Sequence, residues 1–590
     1  QRSGFLLIGG DNTWCYLKSG FDAGTGITCF WPYWTGSVYY ESLPPLSLLC
    51  NQTIPTLPDD SKTYYNLWVG TNNGYTATIG TTGLVPVRNE LYVYGVDGGT
   101  ATFAQVADVK NNGAVYFSDD PTDANLTVNI NSGKWIATGG NMYIGNTTNT
   151  VTMNVAGQVY ASGTLTMADN DNHIINITYA DATNKAFMNF TGGRFYGTVN
   201  YNNSVATKQI LSNYSTTYKN LTISGAGTGI RELSSSIIAD GNVTLTSGGA
   251  LTAGNYNLNV AGNWTNNISS TGFAAGTSTV TFDGNKNSIV AGNYATTFNH
   301  ITVNKGAMYS AAWSGAKQLL VDGNLLVSGG ICDVSYTDNI YSFVKGNVTI
   351  NPLCTLNHNI SWSGSNGIEV RGNWTCNGYY NPNSKSLIHM NGNGSASSFA
   401  ITSNASSPFW YLVLTHTGAG SMNLGSDVYV DADCWAGWDG TCKFNIGGNK
   451  LTVGGSFNVG GYASTVNVFN NSAILDLNRL SIYNGATLTC KNGATNYTPN
   501  IYVAGNWRNH VGSTFIPGQS TITFDGNAEQ RINITEAVDN QTPFNADFNL
   551  YNLVIDGANV KFYYNKNTYK FNVQNNLIIN NGKVLNLFGL

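Results

Sequence analysis

Asp427, Asp431, Asp433 and Asp439 gather beside Trp435 and Trp438, and this stretch is the best local candidate for chemistry in the chain. Cleavage of a glycosidic bond needs an acid and a base or nucleophile within about 10 Å of each other. Asp431 and Asp433 would share a face of an extended strand. The two indoles could stack on a sugar ring, and the carboxylates could hold a cation. A solvated loop with structural aromatics is the plainer reading, and it is preferred. Asp119, Asp120, Asp123, Asp169 and Asp171 occupy loop-like stretches and could ligate a structural calcium, although no EF-hand or nonapeptide calcium repeat surrounds them. The six histidines are scattered, and neither a Gly-x-Ser-x-Gly elbow nor a phosphate-binding glycine loop in a strand-to-helix context occurs. These absences predict no catalytic residue, no resident metal and no enzyme.

The nine cysteines form no Cys-x-x-Cys pair, which removes the usual zinc spacing. Cys332, Cys354 and Cys376 are equally spaced along the chain. If that interval makes one turn of a stacked structure, the three thiols lie one above another at about 4.8 Å, close enough for a disulfide between neighbours. Cys434 and Cys442 flank a stretch that reads as a loop and could clip it closed, while Cys15, Cys29 and Cys50 crowd an aromatic N-terminal segment. With Cys490 the total is odd, so one thiol is left free or bonds to another chain. This pattern favours an oxidising, extracellular compartment.

About 20 Asn-x-Ser/Thr sequons are present, against on the order of 14 expected by chance at this composition. Asn51, Asn125, Asn146, Asn176, Asn189, Asn213, Asn220, Asn242, Asn263, Asn347, Asn373, Asn404, Asn496 and Asn533 are the glycosylation candidates. Glycans would explain how so uncharged a surface stays soluble. Charged residues make up only 10% of the 590, and the net charge of -5 gives no field for a nucleic acid. No apolar run approaches the roughly 18 residues of a membrane-spanning helix. Gln1 in place of Met points to removal of a leader peptide, and hence to an extracellular or cell-surface location.

The elements that must carry these residues are short strands. Ser278-Thr-Val-Thr-Phe-Asp-Gly, Asn257-Leu-Asn-Val-Ala-Gly and Thr521-Ile-Thr-Phe-Asp-Gly alternate apolar and polar side chains and stop at glycine turns. No stretch shows helical periodicity with caps. Internal repetition is the strongest signal. Gly-Asn-Trp recurs at Gly262, Gly372 and Gly505, and the first and last copies lead at matching spacing to Ser-Thr-x-Thr-Phe-Asp-Gly-Asn. Gly-Asn turns at Gly323, Gly346 and Gly372 mark a shorter beat. These features predict an all-β, elongated β-solenoid, a right-handed β-helix with coils of about 20–26 residues. Inward Val, Ile, Leu and Phe would form one column, and turn asparagines would ladder along the stack.

The repeats resemble the Asn/Gly/Thr-rich right-handed β-helix proteins of prokaryotic surfaces, which include adhesins, sheath proteins and filament subunits. The resemblance covers roughly residues 200–590 and implies a scaffold, with modules near 201–262, 263–372, 373–505 and 506–590. Residues 61–200 are β-rich and read as early coils or a sandwich. Residues 1–60, with Trp14, Trp31, Trp34 and Pro44-Pro45, read as a cap, head or assembly segment. The expected function is a secreted structural protein that assembles with itself, head to tail, into a filament, sheath or surface layer. A carbohydrate-binding adhesin with Trp435 and Trp438 as the glycan contact is the first alternative, and a polysaccharide-degrading enzyme or tailspike the second.

Overall fold

The computed structural model describes residues 64–589, apart from 72–73, 75, 81–82, 96–99, 212–215, 314–317, 337–341, 361–366, 393, 461–462, 511, 534–547 and 565–569. It also describes the strands Leu6–Ile8, Ile27–Phe30 and Gln52–Ile54. Among the described residues there is no helix. The chain is a β-solenoid of the right-handed type with about 19 turns. Two compact units divide it, residues 1–284 with 288–297 and residues 285–287 with 298–590. That division falls inside the 263–372 repeat.

One coil of the first unit shows the construction. The strands Asn125–Ile130, Trp135–Thr138 and Met142–Ile144 follow one another, and the chain then returns as Val151–Val155 directly beside the first. Leu126 lies next to Val151, Val128 next to Met153 and Ile130 next to Val155, all in parallel register. Alternation along an extended strand sends these residues inward and Thr127 and Asn129 outward. Residues 64–202 are coils of this kind and not a sandwich. The step between coils varies. It is short where Val243 pairs with Trp264, longer where Leu126 pairs with Val151, and longer again where Ile522 pairs with Leu553.

Asparagine side chains tie coil to coil. In the first unit Asn154 donates to Asn129 (2.7 Å), Asn176 to Asn154 (3.0 Å) and Asn200 to Asn176 (3.3 Å), and the Ser224 hydroxyl ends the row on Asn200 (2.6 Å). In the second unit Asn467 donates to Asn445 and Asn445 to Asn423 at 2.7 and 2.6 Å. The Gly-Asn turns do the same with the backbone. Asn324 Oδ1 accepts the Asn347 N–H, Asn347 that of Asn373 and Asn373 that of Ala400, each at 2.8 Å.

The Gly-Asn-Trp repeat is the grammar of one such corner. A Cβ at Gly262 or Gly372 would sit 2.5 Å from the backbone carbon of the glycine one coil earlier, so close approach, not a positive φ, demands glycine there. The asparagine is the rung, and the tryptophan turns inward. Trp264, Trp374 and Trp507 are all fully buried. Turns elsewhere use polar plugs. The Nε2 of Gln209 donates to the carbonyls of Ile177 (2.8 Å) and Tyr179 (3.0 Å), and Gln105 and Gln530 repeat the device. Buried Arg231 donates to the carbonyls of Gly229, Gly249 and Ser224, and burial lowers its pKa to about 10.

Trp374→Ala should cost about 3–5 kcal/mol by opening a cavity between coils, read as a fall in the unfolding midpoint. His358 predicts a pH effect. Its Nδ1 lies 2.9 Å from the Tyr380 hydroxyl, and burial lowers its pKa from 6.5 to about 3. The fold favours the neutral ring, so this contribution is complete above pH 6.5 and is lost as pH falls toward 3. The melting temperature should drop through that window, and His358→Gln should flatten the drop. An unchanged slope in the variant would contradict this.

Candidate functional site

The aspartates around Trp435 separate by role. Val428–Val430 ends before Asp431, so Asp431 and Asp433 lie in a turn and not on one strand face. Asp427 Oδ1 accepts the Lys450 N–H (2.8 Å) and Asp433 Oδ1 accepts the Ser456 N–H (2.6 Å), the same rung that turn asparagines make. Trp435 is not in a loop: it projects outward from the strand Cys434–Ala436 between two buried neighbours. The loop proper begins at Gly437.

Asp439 is different. Register places Glu369, His389, Val413 and Trp435 side by side across four coils. The Thr415 hydroxyl donates to Asp439 Oδ1, and His389 Nε2 lies 3.1 Å from Thr415 Oγ1 and 3.7 Å from Asp439 Oδ1. Since Thr415 gives its proton to Asp439, Nε2 carries the hydrogen that Thr415 accepts. Burial lowers the pKa of His389 and outweighs Asp439 and Glu369, which would raise it. Thr415 is fully buried and its proton is committed to a carboxylate, so this set is not an activated nucleophile. Glu369 is paired with Arg371.

Beside this cluster runs a strip of rings. Trp438 meets Trp435 edge to face at 4.5 Å, Trp435 stacks on Tyr483 at 5.3 Å, and Tyr483 stacks on His510 at 4.3 Å. Gly460 occupies the intervening coil between Trp435 and Tyr483 and has no side chain to separate the rings. The strip lies over Asn458 and Ser481, outward residues that are nonetheless buried. Trp438 is 50% exposed.

In the first unit, Trp68, Tyr92, Tyr116 and Tyr143 form an outward row, with Tyr116 and Tyr143 stacked at 4.8 Å. The Tyr92 hydroxyl donates to Asp123 Oδ2 (2.6 Å), and burial raises the pKa of Asp123 to about 7. Burial also raises that of Asp119, whereas Asp120 is lowered by its bonds to Thr122. Asp171 pairs with Lys219 at 3.4 Å. Among the described residues no three His, Cys, Asp or Glu side chains gather to hold a metal ion, so the calcium candidates do not converge.

The cysteine stack does not form. Cys332 lies beside Leu356 and Cys376 beside Ile350, while Cys354 precedes its strand at the turn. Coils here are longer than the interval between successive cysteines, so equal spacing carries the thiols out of register. Cys332, Cys354, Cys376, Cys434, Cys442 and Cys490 are buried free thiols, with no clip between Cys434 and Cys442. Burial raises the pKa of all six, to about 12 for Cys442 and Cys490. Cys15, Cys29 and Cys50 lie outside the described side chains, as do Asn51, Asn213 and Asn533.

Five sequons follow from the coil itself. In Asn220-Leu-Thr, Asn242-Val-Thr, Asn263-Trp-Thr, Asn347-Val-Thr and Asn373-Trp-Thr the asparagine is the turn rung, the next residue points inward and the threonine points outward. The excess of sequons therefore needs no glycan to explain it. Asn146 Nδ2 donates to the Ser118 and Asp120 carbonyls and Asn404 Nδ2 to those of Cys376 and Gly378, which closes both to a glycan in the folded chain. Asn176 spends its amide on Asn154. Asn125 accepts the Thr150 N–H. Asn189 and Asn496 are exposed, Asn496 on the antiparallel hairpin 491–496.

The last described coil, Phe571–Ile579 and Leu585–Gly589, is half covered. Leu577 and Ile579 continue the columns of Leu553 and Ile555, and Leu587 that of Phe562. Those predecessors are fully buried, whereas Leu577, Ile579 and Leu587 are 50, 43 and 51% exposed.

Comparison with known proteins returns no match: no family model, no curated protein and no solved structure is similar to this chain. Among the described residues no helix is long and apolar enough to cross a membrane.

Thiol labelling checks the cysteine placement. In native protein the six buried cysteines should resist iodoacetamide, and all six should label without reductant once the chain is unfolded. Labelling of Cys434 and Cys442 that requires reductant would show that they are bonded.

Proposed function

We propose that the chain is a structural protein of the cell exterior, without catalytic activity, whose copies join head to tail into a filament, sheath or layer. The observation that supports this most is the coil stack itself: Asn129, Asn154, Asn176 and Asn200 join successive coils into one row, and the strand Asn125–Ile130 has a parallel neighbour on either side. Coils of this kind add to one another in one direction, so a contact between copies made in the same way is heterologous and propagates.

The exterior location is supported by the charge-poor surface and by the accessible sequons Asn189 and Asn496. The cysteines give it no weight, because buried free thiols persist equally in a reducing compartment.

Sedimentation of the natively isolated protein tests the reading. The protein should sediment as a polymer, and a protein that stays dispersed at high concentration would overturn the reading.

A further inference from the structure

We infer that the outer face of the second unit around Trp438 is a binding site for neutral oligosaccharides. This inference is independent of assembly, since it rests on an outer face of the coils and not on a contact between copies.

Three features of the face coincide. Trp435, Tyr483 and His510 are locked together as a stack and act as a structural cover for Asn458 and Ser481. Trp438 is not needed for that cover. It stands edge to face on Trp435, half exposed, and offers an apolar plane to solvent where a hydrated polar side chain would be favoured. The C–H face of a pyranose stacks on such a plane.

Polar groups flank the plane. Asp439 follows Trp438 directly in sequence, and its side chain is 46% exposed. Thr415 occupies part of one carboxylate oxygen and holds the group in place, which leaves acceptor capacity for sugar hydroxyls. His389, buried behind Thr415 with its pKa lowered, fixes that arrangement without adding a cation. The site is thus a rigid platform beside a positioned acceptor, a combination suited to a diol on a ring.

Charge bears on the class of sugar. Glu369 and Arg371 neutralise each other, Arg508 stands at the far end of the outward row of Trp435, Asn458 and Ser481, and beside Trp438 itself the exposed carboxylate of Asp439 disfavours a uronate. The strip crosses the coils carrying Trp435, Gly460, Tyr483 and His510, a span of roughly 14 Å at the coil spacing. That length fits an oligosaccharide better than a single sugar. The inference is of binding alone.

Titration with cellohexaose, laminarihexaose, mannohexaose and chitohexaose, followed by tryptophan fluorescence and calorimetry, tests the site. At least one should bind, oligogalacturonate should bind more weakly, and Trp438→Ala should weaken binding about tenfold or more while leaving the melting temperature unchanged. Asp439→Asn keeps the acceptor oxygen for Thr415 and should weaken binding less. Failure of all four neutral oligosaccharides to bind, equal binding by Trp438→Ala, or a preference for oligogalacturonate would overturn the inference. Because Trp438 is half exposed, loss of folding in the variant would equally contradict the argument.

Discussion

The constraint on which everything else depends is that each coil is stable only where another coil covers it. A parallel strand has two hydrogen-bonding edges, and an inward side chain has a layer above and a layer below. In the interior of each unit both are supplied by neighbouring coils of the chain. Leu553 is fully buried because Leu577 lies over it, and Leu577 is half exposed because no described residue lies over it. The same rule fixes the surface chemistry. Asparagine recurs because an amide can donate to the amide one coil earlier and accept from the one after, which satisfies an outward row without spending charge. A chain with only 10% charged residues fits that economy.

Much of this was legible in the amino-acid sequence, and the failures have a common cause. Gly-Asn-Trp announced its corner because all three residues of the motif are consecutive and each has a separate job there. The cysteines misled because register depends on coil length, and turns lengthen a coil without disturbing its strands. Their equal spacing reads as a stack, yet the coils concerned are longer than that interval and bring Leu356 to Cys332 and Ile350 to Cys376. The sequon excess misled in another way. Asn, inward residue and outward threonine is what a turn entering a strand looks like, so a modification signal arose from packing.

The platform at Trp438 was half legible. Trp435 and Trp438 are neighbours in sequence and drew attention with their aspartates, although Asp427 and Asp433 proved to be turn rungs. Tyr483 and His510 join them only through register, and the gap at Gly460 that lets Trp435 reach Tyr483 is invisible before the coils are aligned. His389 and Thr415 likewise come from separate coils. The buried plugs Gln209 and Arg231 carry no local signal, since each is defined by carbonyls supplied from other turns.

A scaffold of this kind separates two tasks. In the two proposals the coil stack would carry assembly, and the outer face around Trp438 would carry sugar binding. The claim most exposed to test is that the coil stack continues through the contact between copies. Electron cryo-microscopy of natively isolated protein measures this directly. The account predicts polymers in which the coil spacing of about 4.8 Å runs unbroken across the subunit boundary. Single dispersed particles, or polymers joined through their sides, would contradict it.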